Sequence, residues 1–519
     1  MSFKLNKLLV HENISEIKSI IHESFIGLEK ESLRINNSKI SQSLHPIHIG
    51  SPLSNKFITT DFSEAQLEFI TPPIMSKDNS CIEFLDDIHH FVTRNLGDES
   101  IWPFSMPPSL ISENSIRIAE YGRSNLGFFK RVYRNGLANR YGKLMQTISG
   151  IHFNYSLAES IWESEIFKRT ESIRKNFQSE IYLGMSRNIL RSNWLLLYFL
   201  GASPIIPNCF LKNNTEKIYR LDDDTSYMPH ATSLRMSNFG YQNLSRANIS
   251  VSYNSLKEYI SDLRLATSTN SQEFSKIPTL IDGHQAQLSN CLLQIEDEYY
   301  AVTRPKSSID SDQRTTVKLA KGGINFIELR SIDLNPFSAI GIDNEAIKFL
   351  EIFLVHSFLS NSDPIQKNDM ARISNNEMKV SKYGRDPMLY LNDGEKNIKL
   401  TDWANNLIDE MEFTANILDD RSGNYSKTLK SLRAKLKDPD TNLSARVLNT
   451  LTSRDKDYTK FGLELSEEYK SSYITKIPSK NKRWQMLQNE SIESLRRQSR
   501  LEESLECSFE DYKKNYYMN

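Results

Sequence analysis

Hydrophobic and polar residues alternate in short stretches along the first two thirds of the chain, a pattern typical of half-buried strands. Strands are predicted at about 26–69 (with turns), 146–156, 291–303 and 323–331. In the first of these, the run "GLEKESLRI" places Glu29 and Glu31 on one face of a strand. Two neighbouring carboxylates repel each other, so they are either solvated or share a cation.

Other stretches have the period of helices. Helices are predicted over 1–24, 79–95, 158–200, 255–267 and 345–359, and in the charged stretches beyond residue 400. Loops are predicted for the proline-punctuated stretch at 102–109 and for the polar segments 133–146 and 222–243. Strands come first and helices dominate later, without βαβ alternation. This order favours an α+β fold with a mainly antiparallel sheet.

The alternation also places polar side chains on one face of three further predicted strands. The residues that would share a face are Glu64, Gln66 and Glu68, then Gln146, Gly150, His152 and Asn154, then Glu328 and Arg330. Each set alone is explained equally well as a solvated or salt-bridged surface without a function. If the faces belong to one sheet, their carboxylates need divalent cations. Oxygen ligands with one imidazole suit Mg²⁺, or Mn²⁺, rather than zinc.

Composition narrows the classes of protein that fit. The 519 residues are 39% hydrophobic and 25% charged, and 64 Lys and Arg balance 65 Asp and Glu, which argues against a general nucleic-acid binder. The most apolar run, Trp194 to Leu200, is far shorter than the roughly 20 residues that span a bilayer, so we expect no membrane segment. The four cysteines form no C-x-x-C pair, and a reducing cytoplasm fits them best.

Mg²⁺ held by carboxylates usually completes its shell with water and phosphates, so a nucleoside triphosphate is the expected partner. No Walker A sequence is present, and side-chain cations would have to meet the phosphate charge. The candidates are Arg304, Lys306 and Arg330. On the predicted loops, Arg134 and Arg235 suit a substrate carboxylate, although either is equally well a surface residue.

Seven stretches, taken together, resemble the glutamate–cysteine ligases of the proteobacterial type. They are "GLEKESLRI", "TTDFSEAQLEFITPP", "YRNGLANRYGKLMQTISGIHFNYS", "RNILRSNWLLLYFLGASP", "TSYMPHATSLRMSNFGYQN", "RPK" and "GGINFIELRSIDLNPFSAIGID". The resemblance implies a glutamine synthetase-like fold, in which helices surround a curved, mainly antiparallel sheet. It implies one catalytic domain over 1–519, with a sheet-rich core at about 25–345 and a mainly helical part at about 346–519.

The resemblance further implies ATP-dependent ligation of the γ-carboxylate of L-glutamate to the amine of L-cysteine through γ-glutamyl phosphate. The products would be γ-glutamylcysteine, ADP and phosphate, in the first step of glutathione synthesis. We expect small-molecule substrates, a monomer, a cytoplasmic location, and neither nucleic-acid nor membrane partners. Two alternatives stay open: a carboxylate–amine ligase with another acceptor, and a non-catalytic nucleotide-binding regulator. The intact acidic positions favour an active enzyme.

Position within the matching motifs implies a role for each candidate residue. The expected metal ligands are Glu29, Glu31, Asp61, Glu68, His152 and Glu328. The expected cysteine pocket consists of Tyr133, Leu137, Gln146, Tyr241 and Tyr300. Arg235 would bind the α-carboxylate of glutamate, while Arg330 and Arg134 would bind the transferring phosphoryl group beside Glu328. Asp61 and Glu68 could instead contact the glutamate amine.

Overall fold

The computed structural model describes residues 14–78, 80–109, 112–165, 167–211, 215–240, 249–278, 280–281, 283–420, 423–453, 457–477, 482–504 and 507–518. Its strands are β1 (Phe25–Asn36), β2 (Lys39–Ile40), β3 (Ile58–Thr60), β4 (Gln66–Ile70), β5 (Ile74–Met75), β6 (Ser100–Ile101), β7 (Ile151–Ser156), β8 (Ile205–Pro207), β9 (Tyr219–Arg220), β10 (Thr225–Tyr227), β11 (Leu280–Ile281), β12 (His284–Gln285), β13 (Thr303–Lys306), β14 (Phe326–Ile332), β15 (Tyr390–Asn392) and β16 (Asn397–Lys399).

Between and after the strands lie the helices. They are α1 (Ile14–Ile20), α2 (Cys81–Thr93), α3 (Asn125–Tyr141), α4 (Glu159–Glu163), α5 (Glu171–Leu200), α6 (Leu256–Ser268), α7 (Thr315–Gly322), α8 (Asn344–Leu359), α9 (Lys367–Tyr383), α10 (Leu400–Leu418), α11 (Asn424–Lys437), α12 (Leu443–Ser453), α13 (Tyr458–Thr475), α14 (Lys482–Glu503) and α15 (Phe509–Met518). Within these described ranges, no helix combines the length and the apolar character that a membrane crossing requires.

One antiparallel sheet dominates the first two thirds of the chain. Its strands follow the order β13-β14-β7-β1-β4-β3, and the short strands β2, β5 and β6 also pair with β1. Consecutive strands pair in β3–β4 and β13–β14, whereas β7 pairs with β1 and β14, which are distant in sequence. All these pairings are antiparallel, which agrees with the absence of βαβ alternation. The predicted α+β class with an antiparallel sheet is confirmed.

The two faces of this sheet differ in chemistry. Leu28, Phe153 and Leu329 point to one face and are fully buried, and α5 packs against β13 and β14. Burial of each large apolar side chain stabilises the fold by about 1.5–3 kcal/mol. The same hydrophobic core includes Leu407 of α10 and Leu432 of α11, so helices of the last third also support the sheet. The opposite face is free to carry polar groups.

The polar segment predicted as a loop at 133–146 is helical as far as Tyr141, so this prediction is wrong. Asn and Gly are poor helix formers, and they suggested a loop. Tertiary contacts outweigh their propensity: the side chains of Asn135 and Asn139 donate hydrogen bonds to the carbonyls of Gln285 and Ala286. Gly136 leaves room for Gln294, whose side-chain oxygen would clash with a Cβ atom at that position.

The strand predicted at 291–303 is also wrong, because β13 begins only at Thr303 and a short 3₁₀ helix occupies Glu296–Glu298. The alternating apolar residues Leu293 and Ile295 do not share a sheet face but enter separate hydrophobic clusters. The helix predicted at 158–200 is interrupted between α4 and α5. The predicted helix at 1–24 falls partly on residues 1–13, outside the described part, and is present at Ile14–Ile20.

Two polar residues predicted on strands lie elsewhere. Glu64 precedes β4 and does not share the face of Glu68, because its carboxylate accepts hydrogen bonds from the backbone N–H groups of His45 and Glu120, both at 2.8 Å. Gln146 lies in a 3₁₀ helix at Met145–Thr147, and β7 begins at Ile151. Both departures occur where the chain turns into the sheet.

Candidate active site

The polar face of the sheet and helix α3 together line a cleft of about 330 Å³. Strands β1, β4, β7, β13 and β14 contribute Glu29, Glu31, Glu68, His152, Arg304, Lys306, Glu328 and Arg330. Helix α3 contributes Lys130, Tyr133, Arg134, Leu137 and Tyr141. Loops contribute Asp61, Phe62, Met145, Gln146, Ile295, Asp297, Glu298 and Tyr300.

Strand register brings the acidic residues of different segments together. Glu29 of β1 is paired with His152 of β7, and Glu31 is paired with Glu68 of β4. Directly opposed residues of antiparallel strands share a face, with Cβ atoms about 5 Å apart. Like charges in such a pair destabilise a sheet, so the facing carboxylates of Glu31 and Glu68 require compensation.

The imidazole of His152 lies at the centre of the acidic cluster. Its Nδ1 atom is 3.2 Å from a carboxylate oxygen of Glu29 and 3.4 Å from one of Glu328, and its Nε2 atom is 3.4 Å from Glu31. Asn154, next on the same strand face, donates a 2.8 Å hydrogen bond to Glu29. One imidazole therefore contacts three carboxylates that come from two strands.

Burial makes this concentration of acids costly. Burial raises the pKa of the Glu68 carboxyl well above its usual value, and the charges of Glu29, Asp61 and Glu31 raise it further. The pKa of Glu31 is raised mainly by burial as well. A carboxyl group with a raised pKa is one whose negative charge lacks sufficient compensation. A cation bound in the cluster would supply that compensation.

Glu328 is in a different electrostatic position. It is almost fully buried, which alone would raise its pKa, but Lys306 and Arg330 hold the pKa below the usual value. One carboxylate oxygen is 3.4 Å from Nζ of Lys306, and the other is 3.1 Å from Nη1 of Arg330. Glu328 is thus ionised, and it connects the acidic cluster with the cationic side of the cleft.

A divalent metal fits the donor atoms of this cluster. Ligand atoms of Glu29, His152 and Glu328 all lie within 4.8 Å of one another. Carboxylate oxygens with a single imidazole suit Mg²⁺ or Mn²⁺ better than zinc, which prefers nitrogen and sulfur ligands. The uncompensated charge of Glu31 and Glu68 beside these three ligands points in the same direction.

Comparison with known proteins identifies the family. A family model described as glutamate–cysteine ligase matches residues 10–380. The chain belongs to the glutamate–cysteine ligase family. The glutamate–cysteine ligase of Pseudomonas putida is 38% identical to it over 512 residues, which are 97% of this chain and 96% of the relative. The predicted family and the predicted enzyme class, a ligase, are confirmed.

Solved structures of related proteins share the fold. The crystal structure of a glutamate–cysteine ligase from Francisella tularensis in complex with AMP matches with a TM-score of 0.88 and 32% identity, covering 96% of this chain and 98% of that chain. A bifunctional glutathione synthetase from Pasteurella multocida matches with a TM-score of 0.72 and 25% identity, covering 91% of this chain but only 55% of that one. The mixed fold of helices and an antiparallel sheet is therefore that of the glutamate–cysteine ligase family.

The predicted site residues that the structure describes line this cleft, with the exception of Arg235. Arg235 is buried beside the cleft, where Nη2 donates a 3.1 Å hydrogen bond to the carbonyl of Arg330 and Nη1 lies 3.5 Å from the carboxylate of Asp333. Tyr241 lies outside the described residues. The individual roles of all these residues remain predictions.

Sequence reasoning missed other residues that line the cleft of this ligase: Phe62, Lys130, Tyr141, Met145, Ile295, Asp297 and Glu298. Tyr141 falls in the segment 133–146 that is predicted as a loop, and Lys130 lies three residues before it. On a helix, Lys130, Tyr133, Arg134, Leu137 and Tyr141 follow the i, i+3, i+4, i+7 spacing of a single face. That helical spacing is the signal in the sequence that identifies this face.

Proposed function

We propose that this chain joins the γ-carboxylate of L-glutamate to the amine of L-cysteine at the expense of ATP, the first step of glutathione synthesis. The observation that carries the proposal is the position of Glu328, which contacts His152 of the acidic cluster and also Arg330 and Lys306. A site that activates a carboxylate with ATP needs a metal site and phosphate-binding cations side by side. Membership of the ligase family and the AMP complex of the Francisella tularensis relative support this choice.

The first step creates a leaving group on glutamate. A carboxylate is a poor acylating agent, so its γ-oxygen attacks the γ-phosphorus of ATP, forming γ-glutamyl phosphate and releasing ADP. Negative charge develops on the transferring phosphoryl oxygens, and Arg330 and Arg134, which both line the cleft, would neutralise it. Arg304 and Lys306 would bind the rest of the nucleotide, and the buried Arg235 would hold the α-carboxylate of glutamate.

The residues that would hold Mg²⁺, or Mn²⁺, are Glu29, Glu31, Asp61, Glu68, His152 and Glu328. When bound, the ion would offset the charge of the phosphate oxygens. Asp61 and Glu68, which also line the cleft, could instead accept hydrogen bonds from the ammonium group of glutamate, whose positive charge would compensate the buried carboxyl of Glu68. The walls of the cleft would keep water from the acyl phosphate.

In the second step, the neutral amine of cysteine attacks the acyl carbon. The amine nitrogen gives up one proton to the departing phosphate as the tetrahedral intermediate collapses, which leaves the amide bond of γ-glutamylcysteine, so no protein nucleophile is required. The pocket for cysteine would be formed by Tyr133, Leu137, Gln146 and Tyr300, which line the cleft, together with Tyr241. The proposal includes a monomer in the cytoplasm, as expected from the resemblance.

The test is turnover by the purified chain. ADP release is measured with ATP, Mg²⁺ and glutamate, adding one amino acid at a time, and the product is identified by mass spectrometry. We expect ADP and γ-glutamylcysteine only when glutamate and cysteine are both present. Faster turnover with another amine would favour a related carboxylate–amine ligase, and nucleotide binding without any turnover would favour a regulator. Light scattering of the same sample reports the oligomeric state.

A further inference from the structure

Two cations of helix α3 share one aromatic ring at the edge of the cleft. The ammonium of Lys130 lies 5.5 Å from the ring centre of Tyr121, and the guanidinium carbon of Arg134 lies 4.6 Å from the same centre. The Tyr121 hydroxyl is fixed by the backbone carbonyls of Thr60 and Asp61, both 2.8 Å away. The ring is therefore a rigid platform beneath two positive charges.

These two cations differ from the others of the cleft. Lys306 and Arg330 form ion pairs with Glu328, and Nη1 of Arg304 lies 4.0 Å from the carboxylate of Asp297. Among the residues that the structure describes, neither Lys130 nor Arg134 has a carboxylate oxygen within 4.0 Å. Arg134 instead donates hydrogen bonds to the backbone carbonyls of Asp61 and Lys130.

Like charges four residues apart destabilise a helix. Burial lowers the pKa of Lys130 to about 8, the charge of Arg134 lowers it further, and the carboxylates of Asp312, Glu68 and Asp297 offset this only in part. Such a pair is stable when an anion lies between the two groups. Because Arg134 is bound to the carbonyl of Asp61, an anion held here would lie between helix α3 and the acidic cluster.

We propose that Lys130 and Arg134 form an anion site above Tyr121, and that Lys130 binds a phosphoryl group of the nucleotide there. This inference rests on the proposed ATP-dependent function. A phosphoryl group fits better than an amino-acid carboxylate, because its several oxygens and higher charge can bridge two cations at once. Lys130 is thus a nucleotide-binding residue in addition to those expected from the sequence.

The experiment measures nucleotide binding without turnover. The Mg²⁺ complex of the γ-imido analogue of ATP is titrated calorimetrically into the wild-type chain and into Lys130→Met, Lys130→Arg and Arg131→Met. Arg131→Met removes the same charge from the adjacent position of α3, which does not line the cleft. We expect Lys130→Met to weaken binding roughly tenfold to a hundredfold, as for a lost charge-assisted hydrogen bond. Lys130→Arg and Arg131→Met should stay within about threefold.

An unchanged dissociation constant for a folded Lys130→Met protein overturns the proposal. If its Michaelis constant rises for cysteine or glutamate alone, the anion is an amino-acid carboxylate instead.

A measurement on the wild-type chain covers the case in which the variant does not fold: acetylation of Lys130 by acetic anhydride, followed by mass spectrometry. We expect the bound analogue to protect Lys130, and equal labelling with and without it overturns the proposal. A wild-type chain that binds the analogue but forms no amide contradicts the proposed function while leaving this test intact.

Discussion

Glu328→Gln should abolish most ligation while leaving the fold in place. Glu328 is 1% exposed, and its carboxylate oxygens lie 3.1 Å from Nη1 of Arg330, 3.4 Å from Nζ of Lys306 and 3.4 Å from Nδ1 of His152. Glutamine keeps the volume of the side chain but removes the charge that faces all three groups. It also replaces one carboxylate ligand of the proposed metal site by a weaker amide.

The size of the effect follows from these contacts. Loss of one preorganised electrostatic group in an active site typically lowers kcat about 10²–10³-fold, so we expect turnover to fall at least about a hundredfold. Breaking a fully buried ion pair costs about 3–5 kcal/mol of stability. The side chains of Lys306 and Arg330 are 30% and 17% exposed, so solvent screens the charges left behind. We therefore expect a smaller destabilisation of about 1–2 kcal/mol.

A matched control separates chemistry from folding. Glu296 is also buried, 2.8 Å from Nη2 of Arg314, and accepts a 2.7 Å hydrogen bond from Thr316, but it does not line the cleft. Glu296→Gln should lower stability to a similar extent and leave turnover within a few fold of wild type. Both variants are assayed by ADP release and by urea denaturation. Near-normal turnover of a folded Glu328→Gln protein, or equal losses in both variants, refutes the role assigned to Glu328.

Three further predictions address binding, stability and specificity. Arg235→Lys should raise the Michaelis constant for glutamate about tenfold and that for ATP much less, because lysine lacks the forked geometry of the guanidinium group. Equal effects on both constants would indicate that Arg235 has a structural role through its contact with Asp333. Burial raises the pKa of Glu351 to about 7, so ionising this carboxyl destabilises the fold: the loss of stability is absent below about pH 4.5 and complete above pH 7. In denaturation experiments, Glu351→Gln should be more stable than wild type by up to about 3 kcal/mol at pH 8 but not at pH 5. A stability difference that is the same at both pH values would contradict this. 2-Aminobutyrate should be ligated measurably but less well than cysteine, because an apolar pocket such as the one proposed around Leu137 distinguishes near-isosteres by only about 1–3 kcal/mol. ADP release at background would instead indicate a polar contact to the thiol.

The strand side of the cleft was predictable from the sequence. Alternation alone placed Glu29 with Glu31 and Glu328 with Arg330, and the structure keeps both pairs on the polar face. Register was not predictable, because hydrogen bonding between strands distant in sequence decides which residues meet. The contact of His152 with Glu29 depends on the pairing of β1 with β7, and no local pattern encodes that pairing.

Residues whose partners lie far along the chain were the ones misplaced. Glu64 continues the alternation of Glu68, yet its carboxylate satisfies two backbone N–H groups of separate loops. Such a hydrogen bond contributes about 1.5–3 kcal/mol when one partner is charged, enough to outweigh a weak preference for continuing the strand. Buried polar groups must find partners, and the partners here come from tertiary structure.

Helix α3 is the wall of the cleft whose secondary structure was not predicted from the sequence. The helix begins after Ser124, whose hydroxyl caps the first turn by accepting a hydrogen bond from the N–H of Gly127. Its later turns contain Asn135, Gly136 and Asn139, which lower the helix propensity. Asn135 and Asn139 donate hydrogen bonds to the carbonyls of Gln285 and Ala286, at the start of the connection that also carries Asp297 and Tyr300 of the cleft. The asparagines that weaken the helical signal therefore connect α3 to a segment that also contributes residues to the cleft. The residues that line a cleft between a strand face and a helix face recur in the sequence with two different periods. The helical period is the harder to detect, because residues of the helix also contact the neighbouring segment.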